Sequence, residues 1–448
     1  MTTRTSRAPG RRFTALASSA MLVAALGATA AAPVTAQDGV VTDGWGDLGD
    51  VTIRIAAENA SVDSLTTLTE AFMAEYPNVT IETEFKDWDT HIATMLNVAD
   101  LPDAPDIIWG NQGYVHDGLL VEAGLITSLE PYFEAYGWDE WHGPGAMDQW
   151  RFTEDGTFGE GPRWGISESA EIVGVFYNKE KLAGLGLEVP TTFAEFEEAL
   201  AAAAEAGELP IKLGNLDGWP AMHVLSIAQG AFVDADNMRA WVFGQEGADY
   251  AASDNLAGVQ AFERWVQNGW ISPDANGLGY DQGWQEFTQG DGVFLPTGNW
   301  MTADLRDRMG DNVGFFAPPP GESGKVVATA ANSMPLHSSS KSENPDLAAA
   351  IIDYVLSPDK GQVYFDAGRI PAAAGSVGEA TDALTVETFA GWNRIAEDDG
   401  LTFFQDWASD TMYDTMTSGL QELIGGRISA EDHVNEVQAD WAEFHANR

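Results

Sequence analysis

Past residue 48 the chain alternates apolar and polar positions in a rhythm that switches between two periods. Val51, Ile53 and Ile55 stand at every second place, which predicts a strand with one face in a core. Leu65, Leu68, Phe72 and Tyr76 then fall at helical spacing, with Ser61 placed to cap the helix and Pro77 to stop it. Val79, Ile81, Thr83 and Phe85 alternate again, a short helix follows from Thr90, and Asp106-Ile107-Ile108-Trp109 reads as an apolar strand. Strands and helices in turn predict parallel pairing through βαβ units, and in such sheets ligands gather beyond the carboxyl ends of the strands. Those ends are Glu58-Asn59, Asp87-Trp88 and Trp109-Gly110-Asn111-Gln112.

The run Ile172-Val173-Gly174-Val175-Phe176 organises the rest of the chain. Glu168 and Glu171 flank its start and Tyr177-Asn178-Lys179 ends it, so it predicts a buried strand crossing from one α/β lobe into a second. Thr192 and Glu195 form a capping box that opens a helix with Phe193, Phe196 and Leu200 on one face, closed by Gly207. Residues 209–213 predict a strand leading into Asn215-Leu216-Asp217-Gly218-Trp219-Pro220. Helices are predicted from Asn255 and ahead of Gly290, and Val293-Phe294-Leu295 predicts a strand that delivers Gly298-Asn299-Trp300. Residues 313–317 and 326–330 flank a Pro- and Gly-rich loop and predict a hairpin, with a short strand at 333–336. The spans 344–356, 358–367, 409–424 and 429–446 are predicted helices that must pack on an existing sheet.

At 448 residues the chain is too long for one core and predicts two or three domains. The N-terminus carries Arg4, Arg7, Arg11 and Arg12, an Ala-rich apolar stretch, and small residues at Val34-Thr35-Ala36. This predicts an export signal over 1–36, with the twin-arginine route left open by Arg11-Arg12-Phe13, and a flexible leader over 37–48. The full sequence has 22 basic and 69 acidic residues, a net −47; removing the four arginines of the signal makes it −51. Such a field repels nucleic acid and anionic membranes, and with seven lysines it also fits salt adaptation. With no cysteine there is no disulfide, thiolate metal site, cysteine nucleophile or lipid-modified cysteine anchor. The protein is therefore expected to be exported, periplasmic or cell-surface associated, and not lipid-anchored.

Several segments carry a resemblance. A helix ending Glu75-Tyr76-Pro77 precedes a second strand and then Pro105-Asp106-Ile107-Ile108. Phe176-Tyr177-Asn178-Lys179 is followed by Val189-Pro190-Thr191-Thr192-Phe193, and Phe287 to Gly290 by Gly298-Asn299-Trp300. The run 339–362 and then Gly368-Arg369-Ile370-Pro371 complete the order. Together these resemble the extracytoplasmic solute-binding proteins of sugar ABC transporters, with Phe193 where that family usually has Trp. The resemblance implies a two-lobed α/β periplasmic-binding-protein fold of type II, each lobe a mostly parallel sheet flanked by helices, with a ligand cleft between them. By analogy with maltose-type members, lobe 1 takes 49–170 and 301–340, and lobe 2 takes 171–300 and 341–448. It further implies a monomeric, non-catalytic receptor whose partners are a carbohydrate and the permease subunits, with no cofactor or metal.

A sugar pocket needs carboxylates and amides to exchange hydrogen bonds and flat aromatic rings to stack on. The candidates from strand ends are Glu58, Asn59, Asp87, Trp88, Trp109 and Asn111. From the crossover come Glu168 and Glu171, of which a sugar would satisfy one while Arg163 or Arg369 satisfies the other; Arg369 also counts as a ligand candidate. From the second lobe come Asp217, Trp219, Asn299 and Trp300, the last because Gly298-Asn299 leaves room against its ring. Trp407 joins them because the resemblance places its region near ligand, whereas Met412 fits packing better. Core packing competes for each tryptophan, and capping or turn formation for Glu58 and Asp87. Two other functions stay open. A secreted carbohydrate-active enzyme would use paired carboxylates, though no eight-fold βα pattern, GxSxG elbow or zinc spacing among the seven histidines supports it. A receptor for a cationic solute such as a polyamine or betaine would use tryptophan and carboxylate as an acidic cage.

Overall fold

The computed structural model describes residues 39–448 apart from 143–145, 374 and 447; the expected export signal over 1–36 lies outside them. In chain order the strands are β1 (Val51–Glu58), β2 (Val79–Lys86), β3 (Ile107–Trp109), β4 (Ile126–Thr127), β5 (Arg151–Phe152), β6 (Phe158–Arg163) and β7 (Ile166–Ser167). They continue as β8 (Ser169–Asn178), β9 (Phe294–Gly298), β10 (Val313–Phe316), β11 (Ala330–Asn332), β12 (Pro335–Ser339) and β13 (Ile370–Pro371). The first sheet has the order β2-β1-β3-β12-β4, with β7 also on β12. Here the predicted βαβ pairing holds: β1 runs parallel to β2 and to β3. Helix Val62–Glu75 buries Leu65, Leu68 and Phe72 against this sheet, as their spacing requires.

The second sheet is built differently from the expectation of mostly parallel strands. β8 is its axis, and β9, β10, β11 and β13 all pair with it antiparallel. Its ten residues are long enough to seat partners end to end: β11 and β13 take 169–172, while β9 and β10 take 173–178. The hairpin expected between 313–317 and 326–330 is therefore absent, because β10 and β11 both bond to β8 rather than to each other. The expected strand over 209–213 is reduced to a parallel bridge from Ile211 to Ile271 and Phe294. Pro210, with no N–H, cannot extend that ladder.

Both faces of β8 are covered. Ala170, Ile172 and Phe176 meet Leu295, Phe315 and Leu384 on one side, while Val173 and Val175 belong to the large core of helices Pro220–Gln229, Ser253–Gln267 and Met412–Ile424 on the other. The capping box forms as read, with Thr192 and Glu195 each bonding the other's backbone. Residues 39–48 are held rather than free: Trp45 is buried in the first core, and Asn78 Nδ2 donates to its carbonyl at 2.8 Å.

The chain passes between the sheets three times: at Glu168 between β7 and β8, at Ser333-Met334 between β11 and β12, and at 367–369 ahead of β13. Strand pairing and core packing set two spans apart from the expected lobe boundaries. The span 301–340, expected in lobe 1, contains β10 and β11 on the β8 sheet. The span 341–448, expected in lobe 2, contains helix Pro345–Leu356, which shares its core with helix Val62–Glu75.

Candidate functional site

Two groups of the expected residues come together, one polar and one aromatic. The polar group lies at the crossings. Glu58 ends β1, Glu168 and Glu171 stand at the start of β8, and Arg369 precedes β13, all four nine-tenths buried at 8, 3, 9 and 6 % exposure. The guanidinium is 3.5 Å from Glu168 Oε1 and 3.8 Å from Glu171 Oε1, so it serves two carboxylates. Its hydrogen bonds go elsewhere: Nη2 and Nε donate to Ser169 Oγ at 2.7 and 3.2 Å, and Nη1 to the Ala60 carbonyl at 2.8 Å. Glu58 instead accepts from the Ala60 N–H at 2.8 Å, and Asn59 beside it is exposed. Arg163, the other arginine considered for the crossover, is taken up by Glu130 and Asp139 in the first lobe.

Burial raises all three carboxyls above their ordinary range. For Glu171 burial is the largest cause, Arg369 opposes it, and the charges of Glu58 and Glu168 add to it, giving a pKa of about 7. A carboxyl whose folded pKa lies above its unfolded value lends stability that is complete below the unfolded value and lost as pH rises through the folded one. Between pH 4.5 and about 7, at about 1.4 kcal/mol per pH unit, Glu171 is expected to withdraw on the order of 3 kcal/mol. Glu171→Gln cannot ionise, so its stability relative to the unmodified protein should climb over that window. Urea midpoints at pH 5 and pH 7.5 check this; an unchanged difference between the two proteins would refute it.

The aromatic group lies in the second lobe. Trp219 precedes helix Pro220–Gln229 and sits 4.3 Å, centroid to centroid, from Tyr280, 5.1 Å from His223 and 6.5 Å from Trp300. Trp300 is 5.2 Å from His223, and its Nε1 donates to the Tyr280 hydroxyl at 2.9 Å. That hydroxyl also meets Thr297 Oγ1 at 2.9 Å. The room at Gly298, expected to be for ligand, is taken by Trp300 itself: a Cβ there would overlap the indole ring. Asp217 accepts from the Tyr280 N–H at 2.8 Å and so fixes the start of helix Tyr280–Thr288 beside Trp219. Burial drops the His223 pKa to about 3, so it stands as a neutral ring within this wall, and its Nδ1 has no hydrogen-bond partner.

Gly298 pairs with Val173, two residues along β8 from Glu171, which links the wall to the polar group. From the first lobe, exposed Asp87 caps helix Trp88–Ala99 by accepting from Thr90 N at 3.0 Å, with half-buried Trp88 next to it. Asp89, one position on, has its carboxyl raised by burial and then by the negative charges of Asp217, Asp87 and Asp281.

The other expected residues make their contacts within the protein itself. Trp109 is buried in the first core and donates its indole N–H to the Met334 carbonyl at 2.6 Å, with Arg369 5.7 Å from its ring. Asn111 shapes its own loop, its N–H on Asp117 at 2.9 Å and its amide 3.2 Å from His116. Asn299 is a buried brace: Oδ1 accepts from Ile172 N at 2.9 Å and Nδ2 donates to the Ala170 carbonyl at 3.2 Å. Trp407 is buried between Phe158, Phe403 and Phe404. His223, Tyr280 and Asp89 were not among the candidates. Tyr280 follows Gly279 at a helix start, a position that helical periodicity alone does not mark as part of a wall.

The geometry has relatives. The family model described as bacterial extracellular solute-binding protein matches residues 40–362. A multiple sugar-binding protein of Streptococcus mutans is 21% identical over 348 residues, 73% of this chain and 76% of that protein. Among solved structures, a chitin oligosaccharide binding protein matches with a TM-score of 0.74 at 21% identity, over 89% of this chain and 99% of its own. A solute-binding protein in complex with raffinose matches at 0.68 and 20% identity, over 88% and 99%.

Proposed function

Since the chain belongs to the bacterial extracellular solute-binding protein family, we propose that it is a sugar receptor, outside the cytoplasm, that closes around a mono- or oligosaccharide and delivers it to the permease of an ABC importer. The observation that carries this reading is the wall of Trp219, Tyr280, Trp300 and His223 set one strand away from Glu171. Ring faces offer apolar area to the C–H faces of a sugar, and carboxylates accept from its hydroxyls. Asn59, Asp87, Trp88 and Asp89 in the first lobe stand as the opposing contacts. Ligand held by one lobe gains contacts from the other, and that differential affinity drives closure about the three crossings. The multiple sugar-binding relative, the chitin oligosaccharide binding protein and the neighbour in complex with raffinose support a carbohydrate as cargo. Carbohydrate-active chemistry has less support, because these relatives are binding proteins. No helix among the described residues is long and apolar enough to cross a membrane.

The test is a thermal-shift screen of mono- and oligosaccharides with product analysis alongside. A bound sugar at a hundred times its Kd is expected to add about 2.7 kcal/mol to the apparent stability. It should be recovered unaltered, with a change in tryptophan fluorescence. Cleavage of any sugar would overturn the receptor reading, and a panel with no shift would overturn sugar as the cargo.

A further inference from the structure

One guanidinium reaches two of three neighbouring buried carboxyls, Glu168 and Glu171 but not Glu58, and the arrangement leaves negative charge over. Arg369 spends its hydrogen bonds on Ser169 Oγ and the Ala60 carbonyl, and reaches Glu168 and Glu171 only at 3.5 and 3.8 Å. Glu168 Oε1 is fully buried and accepts no hydrogen bond. A buried carboxylate in that state is costly, and three together cannot all stay ionised around a single cation. The charged and titratable groups facing the cluster are Glu58 from β1, Glu168 and Glu171 from the start of β8, Arg369 ahead of β13, and Tyr364 from helix Gly361–Asp366. Tyr364 gives its hydroxyl hydrogen to the Val355 carbonyl at 2.6 Å and supplies nothing here.

A neutral hydroxyl would meet the hydrogen-bonding need of Glu168 Oε1 but not the charge. A protonated amine meets both, with up to three donors and one positive charge. We propose, resting on the sugar-receptor reading, that the cluster of Glu58, Glu168, Glu171 and Arg369 receives the ammonium group of an amine-bearing sugar, which replaces a proton held there by the empty protein. No bond to carbon is made or broken: the ammonium enters with its charge, and one carboxylic acid proton leaves to solvent. Exposed chain adjoins the cluster, since Asn59 and Ala60 next to Glu58 are exposed. The neighbouring wall adds ring faces that favour a cation as well as a sugar ring.

The experiment uses the full exported chain at pH 6 and paired probes: glucosamine against glucose, galactosamine against galactose, and glucosamine oligomers against their N-acetylated counterparts. Calorimetry in two buffers of different ionisation enthalpy reads affinity and proton release together. The expected result is at least tenfold tighter binding of the amine member in one or more pairs, with close to one proton released. Neutral members should release none. Glu171→Gln should abolish the release and cut the amine preference to threefold or less, and Glu168→Gln should do the same if the first variant folds poorly. Equal binding within every pair, or amine binding without proton release, would overturn this inference and leave the sugar receptor standing. No binding by any probe, together with a blank wider sugar panel, would overturn both.

Discussion

Trp300→Ala is expected to weaken sugar binding about thirtyfold or more and to lower folding stability by about 3 kcal/mol. The indole is half-buried, hydrogen-bonded to Tyr280 at 2.9 Å and laid over Gly298, so its removal takes one of the two partners of the Tyr280 hydroxyl and opens a void beside β9. Loss of a stacked ring face costs the apolar area it covers on a sugar, at about 25 cal/mol per Å², which for one indole face is about 2 kcal/mol. Trp219→Ala separates the two effects. Trp219 is also half-buried but touches its neighbours through ring contacts with Tyr280 and His223. It should lose a similar affinity with about half the loss of stability. Calorimetric titration with whichever sugar the thermal screen returns, paired with urea midpoints, reads both quantities. If both variants bind as the unmodified protein does, the aromatic wall is not the sugar surface.

Asn299→Ala should be more damaging to the fold than its polar character suggests. Its side chain pairs the Ile172 N–H and the Ala170 carbonyl, two buried backbone groups on the axis of the second sheet. Truncation leaves a donor and an acceptor unsatisfied, at about 1–3 kcal/mol each, so a total of about 3 kcal/mol is expected. The urea midpoint should fall with an unchanged slope, since the surface exposed on unfolding is the same. Asn299→Asp keeps the acceptor for Ile172 but sets a carboxylate against the Ala170 carbonyl, and should be no better. A cost below about 1 kcal/mol for the alanine variant would mean that water or a backbone shift replaces the brace, and that Asn299 is free to face ligand after all.

How much of this was legible in the linear chain differs between the lobes. Lobe 1 reads well because its signals are local: Leu65, Leu68 and Phe72 lie within one helix, and alternation runs through Val51, Ile53 and Ile55 of β1 and Val79 and Ile81 of β2. Helix Ala383–Asp398 escaped the same reading because its buried face includes Thr385, Thr388 and Gly391, so few of its inward positions are apolar. Among the site residues, Trp219 and Trp300 stand out as aromatic residues in Gly- and Pro-flanked loops after apolar runs. His223 lies inside helix Pro220–Gln229, in which every residue is buried, and nothing local sets it apart. Asn299 and Trp407 have the residue types of a sugar pocket, yet a neighbouring strand claims the first and an aromatic core the second.

The order of elements, the capping box at Thr192 and the absence of cysteine chemistry follow from the sequence alone, because each depends on residues close in the chain or on composition. Tertiary structure decided that β8 is the axis of an antiparallel sheet, and that Glu58, Glu168, Glu171 and Arg369 form one buried cluster. Those four are separated by as many as 311 positions. Their proximity depends on the end of β1 meeting two of the crossings, and their protonation on the water excluded there. Neither quantity is carried by any short stretch of chain.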